Sequence, residues 1–483
     1  MASTAAKNRE KSTGRLIICG STADRSAYFA RREAARVLRC VLQGDARGRA
    51  AASIKSLIYS PSIRNKKATF ALVCQTLKYL PVLKNVLAAA NVLSAKWKKQ
   101  TTLIYVTAYD VLFGQKIGMT GAAEKLLILH KDALESALSK LCTRKAVKCI
   151  EELLLDNQNH VLPKPRYVRV NTLKINTETA IQELERIAKV KIDDVVPDML
   201  VLPGGTDLHN HRLVLDGSIF LQGKASSMVA VALCPKPGWK VIDACAAPGN
   251  KTSHLAALMK GKGKIIACEI NKKRLVHLDD TIRRSGAHNV EIIHCDFLDI
   301  NASDRSFSKV RAILLDPSCS GSGTSAERLD HLLPSYSTDH QDEAAANGPR
   351  VRKLAAFQKK ALAHALSFPA VERVVYSTCS IHQTENEDVI KSVLPLATSL
   401  GFELATPFPQ WPLRGRPVFD GAERLLRTDP SQDTEGFFIA LFVKKLRSLP
   451  PAQKKHFSLP FFPTKISKIW MRHCMARRRR GNS

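Results

Sequence analysis

Apolar residues recur at i, i+3 and i+4 through the first third of the chain. Tyr28–Gln43, Ala68–Leu80, Val82–Ala95, Thr101–Phe113 and Glu124–Leu141 carry this spacing, which lays one apolar stripe along a helix. Short basic stretches such as Asn65-Lys66-Lys67 and Lys96-Trp97-Lys98-Lys99 separate them. The pattern predicts a helical bundle over 25–160, preceded by a polar, basic, disordered stretch over 1–24. From Lys164 the period changes. Arg166–Asn171 alternates like a strand, Thr177–Ala188 has helical spacing, and Met199–Leu202 is a strand closed by Pro203-Gly204-Gly205. This predicts a small α/β unit over 161–225.

From Gly238 the chain repeats strand then helix. Lys240–Ala244, Lys264–Ile270, Val290–His294, Arg311–Leu315 and Val371–Ser377 are short and nearly all apolar. His254–Met259, Lys272–Ser285 and Val351–Phe368 between them are amphipathic. Strands apolar on both faces belong to a parallel sheet covered by helices on either side. The expected fold over 226–446 is therefore a doubly wound, Rossmann-like α/β sheet. Phe402–Ala405 and Gly436–Val443 are expected to close it as an edge hairpin, and Ser320–Arg350 to form a long surface loop. The tail, 447–483, is rich in Pro and Lys and ends in four arginines, Arg477–Arg480.

Charge narrows the function. Across 483 residues, 74 Lys+Arg face 43 Asp+Glu, a net charge of +31, so a polyanionic partner is expected, with RNA favoured over an anionic membrane. No apolar run reaches the roughly 18–20 residues needed to span a bilayer, and Leu16–Cys19 is too short for the apolar region of a secretory signal. Twelve cysteines are scattered without any C-x-x-C pair, which predicts reduced thiols in an intracellular protein and no metal site. The basic helical region reads equally as a scaffold with a solvated face and as an RNA-binding surface. The Arg477–Arg480 tail reads as a solvated run, a nuclear address or an RNA-clinging arm.

Candidate chemistry collects where the strands end. Asp243-Ala244-Cys245-Ala246-Ala247-Pro248-Gly249-Asn250-Lys251-Thr252 leads from the first strand of the sheet into a helix. Its small residues admit a ligand to the backbone, at the edge where open α/β sheets bind ligands. It is neither a G-x-G-x-x-G dinucleotide loop nor a P-loop, because Asn250 separates Gly249 from Lys251-Thr252. Glu269, Asp296 and Asp316 end the next three strands. Each acid alone is readable as a helix cap, but four at successive strand ends suit a cationic adenosine ligand without phosphates. S-adenosylmethionine fits best, with Glu269 on the ribose hydroxyls and Arg274 within reach. Cys319, in Asp316-Pro317-Ser318-Cys319-Ser320-Gly321-Ser322-Gly323, follows the fourth strand, and Cys379, in Tyr376-Ser377-Thr378-Cys379-Ser380, follows the fifth. A cysteine is usually a small buried hydrophobe; two in polar loops at adjacent strand ends are a stronger sign of chemistry. Thr384-Glu385-Asn386-Glu387 matches a capping box, and the helix it opens is expected to favour a nearby thiolate.

The two cysteine motifs, with Glu385-Asn386-Glu387-Asp388, resemble the Sun-type (NOL/NOP/Sun) RNA cytosine-5 methyltransferases. Asp243–Leu258 and Asp316–Gly323 resemble most closely the subgroup acting on large-subunit ribosomal RNA. The resemblance runs from about Pro165 to Val443 and more weakly through the N-terminal helices. It implies that Cys379 attacks C6 of cytosine, that Cys319 assists release, that Asp316 holds the base edge, and that Lys251 lies near the reaction centre. It also implies that Cys245, Ala246, Ala247, Pro248, Gly249, Asn250, Lys251, Glu269, Arg274, Asp296 and Asp316 bind S-adenosylmethionine. The unit over 161–225 would be RRM-like, though without the aromatic RNP pattern, so shape and phosphate contacts are expected of it. Family members often carry Gly in place of Asn250 and Asp in place of Glu269. The expected location is the nucleus and nucleolus. A mitochondrial alternative rests on the first 50 residues, with eleven Lys+Arg and four acids. A transfer-RNA methyltransferase and a non-catalytic assembly factor that kept the fold are the rival functions. Oligomeric state is not readable from the sequence.

Overall fold

The computed structural model describes residues 21–46, 54–114, 117, 121–145, 147, 164–324, 329, 332–334 and 348–445. The chain divides at Val443 into one compact unit and a C-terminal segment that lies almost wholly outside the described residues, as do the expected Arg477–Arg480 run and most of the expected Ser320–Arg350 loop.

The N-terminal region is helical: α1 (Thr22–Ala46), α2 (Ile54–Ile58), α3 (Lys66–Ala89), α4 (Thr101–Phe113), α5 (Ala122–Leu129) and α6 (Lys131–Arg144). α1 starts inside the stretch expected to be disordered, so Thr22–Asp24 are helical. Two expected boundaries differ. Ala68–Leu80 and the first part of Val82–Ala95 are one helix, α3, which runs through Pro81 and ends at Ala89, so Ala90–Ala95 lie outside it; Leu77, Leu80, Val82 and Leu83 are buried on either side of Pro81, and that packing outweighs the lost backbone hydrogen bond. Glu124–Leu141 is instead two helices meeting at His130. Inside this region Arg31 is buried and pairs with Asp110 at 2.9 Å and Glu124 at 3.1 Å, and Arg32 reaches Glu124 at 2.7 Å. Leu329, Leu332 and Leu333 pack against the cluster formed by α1, α2 and α3.

A four-stranded antiparallel sheet follows, ordered β2-β3-β1-β4, from β1 (Arg166–Val170), β2 (Lys191–Ile192), β3 (Met199–Leu202) and β4 (Ile219–Leu221). α7 (Thr177–Glu185) covers it through Ala180 and Leu184, and α8 (Arg212–Leu215) through Leu213. β2 and β4 are too short for a periodicity to register in the sequence. α9 (Lys224–Leu233) carries the chain into the main sheet.

The main sheet has the order β10-β12-β9-β8-β5-β6-β7, with β11 (Leu426–Arg427) paired to β12. β5 (Lys240–Asp243), β6 (Lys264–Cys268), β7 (Val290–Ile293), β8 (Val310–Leu315) and β9 (Arg373–Thr378) are parallel. β12 (Phe438–Lys444) joins β9 antiparallel, and β10 (Phe402–Ala405) is the edge. The expected Rossmann-like sheet is present. Alternate residues of each strand face opposite cores. Ile242, Ile266, Ile313 and Val374 pack with α12 (Pro349–Leu366) and α13 (Glu387–Ser399). Val241, Ile265, Ala312 and Val375 pack with α9, α10 (Asn250–Leu258) and α11 (Lys272–Ser285). Strand order reverses between β5 and β8, which opens a crevice at the carboxyl edge.

Candidate active site

The loop after β5 is held from within: Ala246 N donates to Cys268 O at 2.9 Å and Gly249 N to Ala246 O at 2.8 Å. Gly249 sits in the left-handed region at φ 102°, where a Cβ would come within 3.0 Å of Thr281 and 3.1 Å of Leu278 on α11. Only glycine permits both the conformation and the helix contact. α10 consequently starts at Asn250, four residues before the amphipathic stretch in the sequence, and its first turn faces the crevice. Burial outweighs the Thr252 hydrogen bond and the nearby Lys251 charge, and pushes the Asp243 carboxyl up to about 7. Its Oδ2 accepts from Thr252 Oγ1 at 2.7 Å; its buried Oδ1 has no hydrogen-bond partner among the described residues.

The other strand-end acids divide. Glu269 is buried; it accepts from Asn271 N at 2.8 Å and lies 3.4 Å from Arg274. Arg274 also donates to Ala247 O, so it ties the acid of β6 to the loop after β5. Asp296 caps the short 3₁₀ turn Phe297–Asp299 by accepting from Leu298 N at 3.0 Å. Asp316 faces inward: Lys251 Nζ donates to its Oδ2 at 2.7 Å and Ser377 Oγ to its Oδ1 at 2.6 Å. Cys245 packs against the core below, and burial raises its thiol.

Cys319 and Cys379 stand 3.3 Å apart, sulfur to sulfur. The hydrogen bond from Cys319 is the largest influence on Cys379 and lowers its thiol below the ordinary cysteine value; burial and Asp316 oppose it, and Lys251 and Thr324 assist. The same bond, with burial, raises Cys319 well above that value. The pair is therefore unequal: Cys379 is the easier of the two to deprotonate, with Cys319 as its hydrogen-bond partner. Burial works against the charge on Lys251, yet Asp316, Cys379 and Asp243 outweigh it and hold the ammonium above the usual lysine value. Its Nζ also lies 5.5 Å from the centre of the Phe437 ring.

The thiols are fixed by groups that the sequence singled out only in part, because Gln358 and Arg427 carried no signal there. Gln358 of α12 donates to Ser318 O and to Glu385 Oε1, each at 3.0 Å, while Glu385 accepts from Ser320 N at 2.9 Å. Gly323 N donates to Cys379 O and Gly436 N to Gly323 O, both at 2.9 Å. The expected capping box is not made. Asn386 is the N-cap of α13 without a side-chain cap bond; its side chain instead joins Thr378 Oγ1 at 2.5 Å and Ser380 O at 2.7 Å. Glu387 is taken by Arg427 at 2.6 Å. The Glu385-Asn386-Glu387 signal was visible, but its partners are distant in sequence, and they convert a local cap into a clamp on the cysteine loop.

Among the described residues there is no cluster of metal-ligating side chains and no helix long and apolar enough to cross a membrane. Residues 230–443 match the family described as 16S rRNA methyltransferase RsmB/F, and residues 67–154 match the NOL1/NOP2/Sun domain family member 5, N-terminal domain. The chain is 64% identical to a 25S rRNA (cytosine-C(5))-methyltransferase NSUN5 of Arabidopsis thaliana, over 87% of this chain and 74% of that protein. It is 41% identical to a 28S rRNA (cytosine-C(5))-methyltransferase of Mus musculus, over 81% of this chain and 87% of that protein. The crystal structure of PH0851 shares the fold, with a TM-score of 0.58 at 22% identity over 85% of this chain and 99% of that one. Identity this high, spanning most of both partners, together with a family match over 230–443, leaves one assignment: the chain belongs to the NOL1/NOP2/Sun family of RNA cytosine-C5 methyltransferases.

Proposed function

We propose that this protein methylates C5 of a cytosine in large-subunit ribosomal RNA, using S-adenosylmethionine and acting in the nucleolus. The observation that carries the chemistry is the pair of thiols 3.3 Å apart beside the Lys251–Asp316 pair. C5 of cytosine is a weak nucleophile. Addition of the Cys379 thiolate to C6 makes a carbon–sulfur bond and turns C5 into the nucleophilic end of an enamine. Asp316 holds the base edge at N3 and N4, and Lys251 keeps Asp316 in place. When bound, S-adenosylmethionine supplies the electrophilic methyl group. Transfer of the C5 proton to solvent water lets the C5–H electron pair re-form the C5–C6 double bond while the carbon–sulfur bond breaks and returns the Cys379 thiolate, and Cys319 assists that release.

The residues present fit this cofactor. Asp243 keeps a buried carboxylate oxygen without a hydrogen-bond partner, and three further acids, Glu269, Asp296 and Asp316, end the neighbouring strands, a donor set suited to a cation with hydroxyls and no phosphate. Cys245, Ala246, Ala247, Pro248, Gly249 and Asn250 form the floor of that site, and Arg274 holds the floor against Glu269. The reading also assigns 25–160 as a helical domain, 161–225 as an RRM-like RNA-contact unit, 226–446 as the catalytic domain and 447–483 as a basic tail that follows phosphates. The target base must leave its stack to reach Cys379, so these flanking parts carry the RNA.

The test is methyl transfer to ribosomal RNA, with the site mapped by bisulfite sequencing. Cys379→Ala is expected to abolish transfer, and full activity would remove the nucleophile. Cys319→Ala is expected to accumulate a covalent protein–RNA adduct on a denaturing gel. Modification of transfer RNA alone would replace the substrate, and no transfer to any RNA would leave the assembly-factor rival.

A further inference from the structure

The two sulfurs of the site have a second chemistry open to them. At 3.3 Å they already touch, and a disulfide needs about 2.0 Å. The loops that carry them are fastened together beyond the pair. Ser320 Oγ donates to Ser380 Oγ at 3.0 Å, Ile381 N donates to Ser322 Oγ at 3.0 Å, and Gly323 N donates to Cys379 O at 2.9 Å. β8 and β9, which the loops follow, are neighbours in parallel register. Rotation of the two side chains therefore closes the remaining gap with the loops in place. Both thiols are half-buried and keep exposed surface, so a small oxidant reaches them. Cys268 and Cys295, at the ends of β6 and β7, form a further hydrogen-bonded pair, but Cys268 is 0% exposed.

We propose that hydrogen peroxide converts Cys319 and Cys379 into a reversible disulfide that switches the enzyme off. The loss of activity rests on the methyltransferase reading; the disulfide itself does not. The Cys379 thiolate attacks one peroxide oxygen. The oxygen–oxygen bond breaks, and the leaving hydroxide takes up the proton that Cys379 had lost, which leaves Cys379 as a sulfenic acid. The Cys319 sulfur then attacks the Cys379 sulfur. The sulfur–sulfur bond forms, the sulfur–oxygen bond breaks, and the leaving hydroxide takes the Cys319 proton to become water. Two thiols have given up two electrons and two protons, and one peroxide has become two waters. A dithiol reductant returns both electrons and both protons. The order of attack follows the inequality of the pair, since Cys379 lies below the ordinary cysteine value and Cys319 well above it. A sulfenic acid without a neighbouring thiol goes on to the irreversible sulfinic acid, and Cys319 stands where it intercepts that step. With both sulfurs tied, no thiolate remains to add to C6.

The experiment uses the full chain, reduced and then freed of reductant, with hydrogen peroxide as the probe. Peptides mapped without reduction are expected to show Cys319 linked to Cys379. Methyl transfer to ribosomal RNA is expected to be lost in proportion to that link and restored by dithiothreitol. S-adenosylmethionine binding is expected to survive, which separates closure of the pair from general damage. Cys319→Ser removes the resolving thiol and keeps Cys379. Dimedone, which traps sulfenic acids, is expected to label Cys379 in that variant and not in the natural protein. Activity that falls while both thiols stay free, a link that maps to Cys268 and Cys295 instead, or a Cys379 that goes unlabelled in Cys319→Ser overturns the inference. If Cys319→Ser does not fold, as judged by S-adenosylmethionine binding, the peptide map of the natural protein decides alone. Reduced protein that transfers no methyl group would instead refute the methyltransferase reading, and the peptide map would still decide whether the disulfide forms.

Discussion

At the scale of single residues, the site works by separating the properties of chemically similar groups. Cys319 and Cys379 are both thiols at strand ends, yet their mutual hydrogen bond lowers Cys379, with Lys251 assisting, and raises Cys319. Iodoacetamide at pH 7 is therefore expected to alkylate Cys379 before Cys319, with the order read by mass spectrometry of peptides. Lys251→Met removes the neighbouring cation and is expected to slow alkylation of Cys379 about tenfold, whereas Lys251→Arg is expected to preserve most of it. Asp243 gives a second expectation. Its carboxyl titrates near 7 in the folded protein, against 3.8 for the ordinary group. Between those values the folded state holds a proton that the unfolded state has lost, so stability falls as pH rises from about 4 to about 7 and then levels. Three decades of pH correspond to on the order of 4 kcal/mol. Denaturant midpoints at pH 4 and pH 7.5 are expected to show Asp243→Asn gaining stability relative to the natural protein by that order as pH rises. Parallel curves for the two would refute it.

At the scale of elements, the cysteine loops are held by backbone contacts that tolerate no added atom. A Cβ at Gly323 would lie 1.7 Å from Gly436 O, so Gly323→Ala must push the loop away from β12 and break its bond to Cys379 O. A displacement of this size at a reacting centre costs about 10²-fold in rate. Single-turnover methyl transfer is expected to fall by that order, with S-adenosylmethionine binding retained. Gly323 stood inside a recognisable motif, but its reason did not, because Gly436 lies more than a hundred residues away. The same contrast runs through the fold. α11 at Lys272–Ser285 and α4 at Thr101–Phe113 have the bounds that their spacing predicts, although α11 buries one stripe and α4 is buried or half-buried all round. The two stretches expected on either side of Pro81 form one helix, because that helix packs against α1, α4 and α6. Asn386 was read as part of a cap and is instead a tether for Thr378 and Ser380. Local signals predict local partners; the clamp that pairs Gln358 with Glu385 and Arg427 with Glu387 is long-range, and only its Glu385-Asn386-Glu387 half left a pattern to read.

At the scale of the whole molecule, the surplus of positive charge and the site belong to different places. Four acids gather around the crevice, so the +31 is not there for the methyl donor. It is carried by the helical region and by the tail, where a phosphate backbone can run. The residues over 447–483 include ten Lys+Arg and no Asp or Glu. Each phosphate that such a tail neutralises adds about 0.7 to the slope of log K against log salt for single-stranded RNA. A chain ending after Leu446 is therefore expected to bind ribosomal RNA fragments more weakly at 50 mM salt, with the slope reduced by up to about 7. Its kcat at saturating RNA is expected to stay close to that of the full chain, because Cys379, Lys251, Asp316 and the hydrogen-bond partners described for them all precede Lys444. Filter binding across a salt series gives the slope, and a single-turnover assay gives the rate. An unchanged slope would assign the tail to something other than RNA, an address read elsewhere in the cell, and would leave the basic faces of α1–α6 to carry the polyanion.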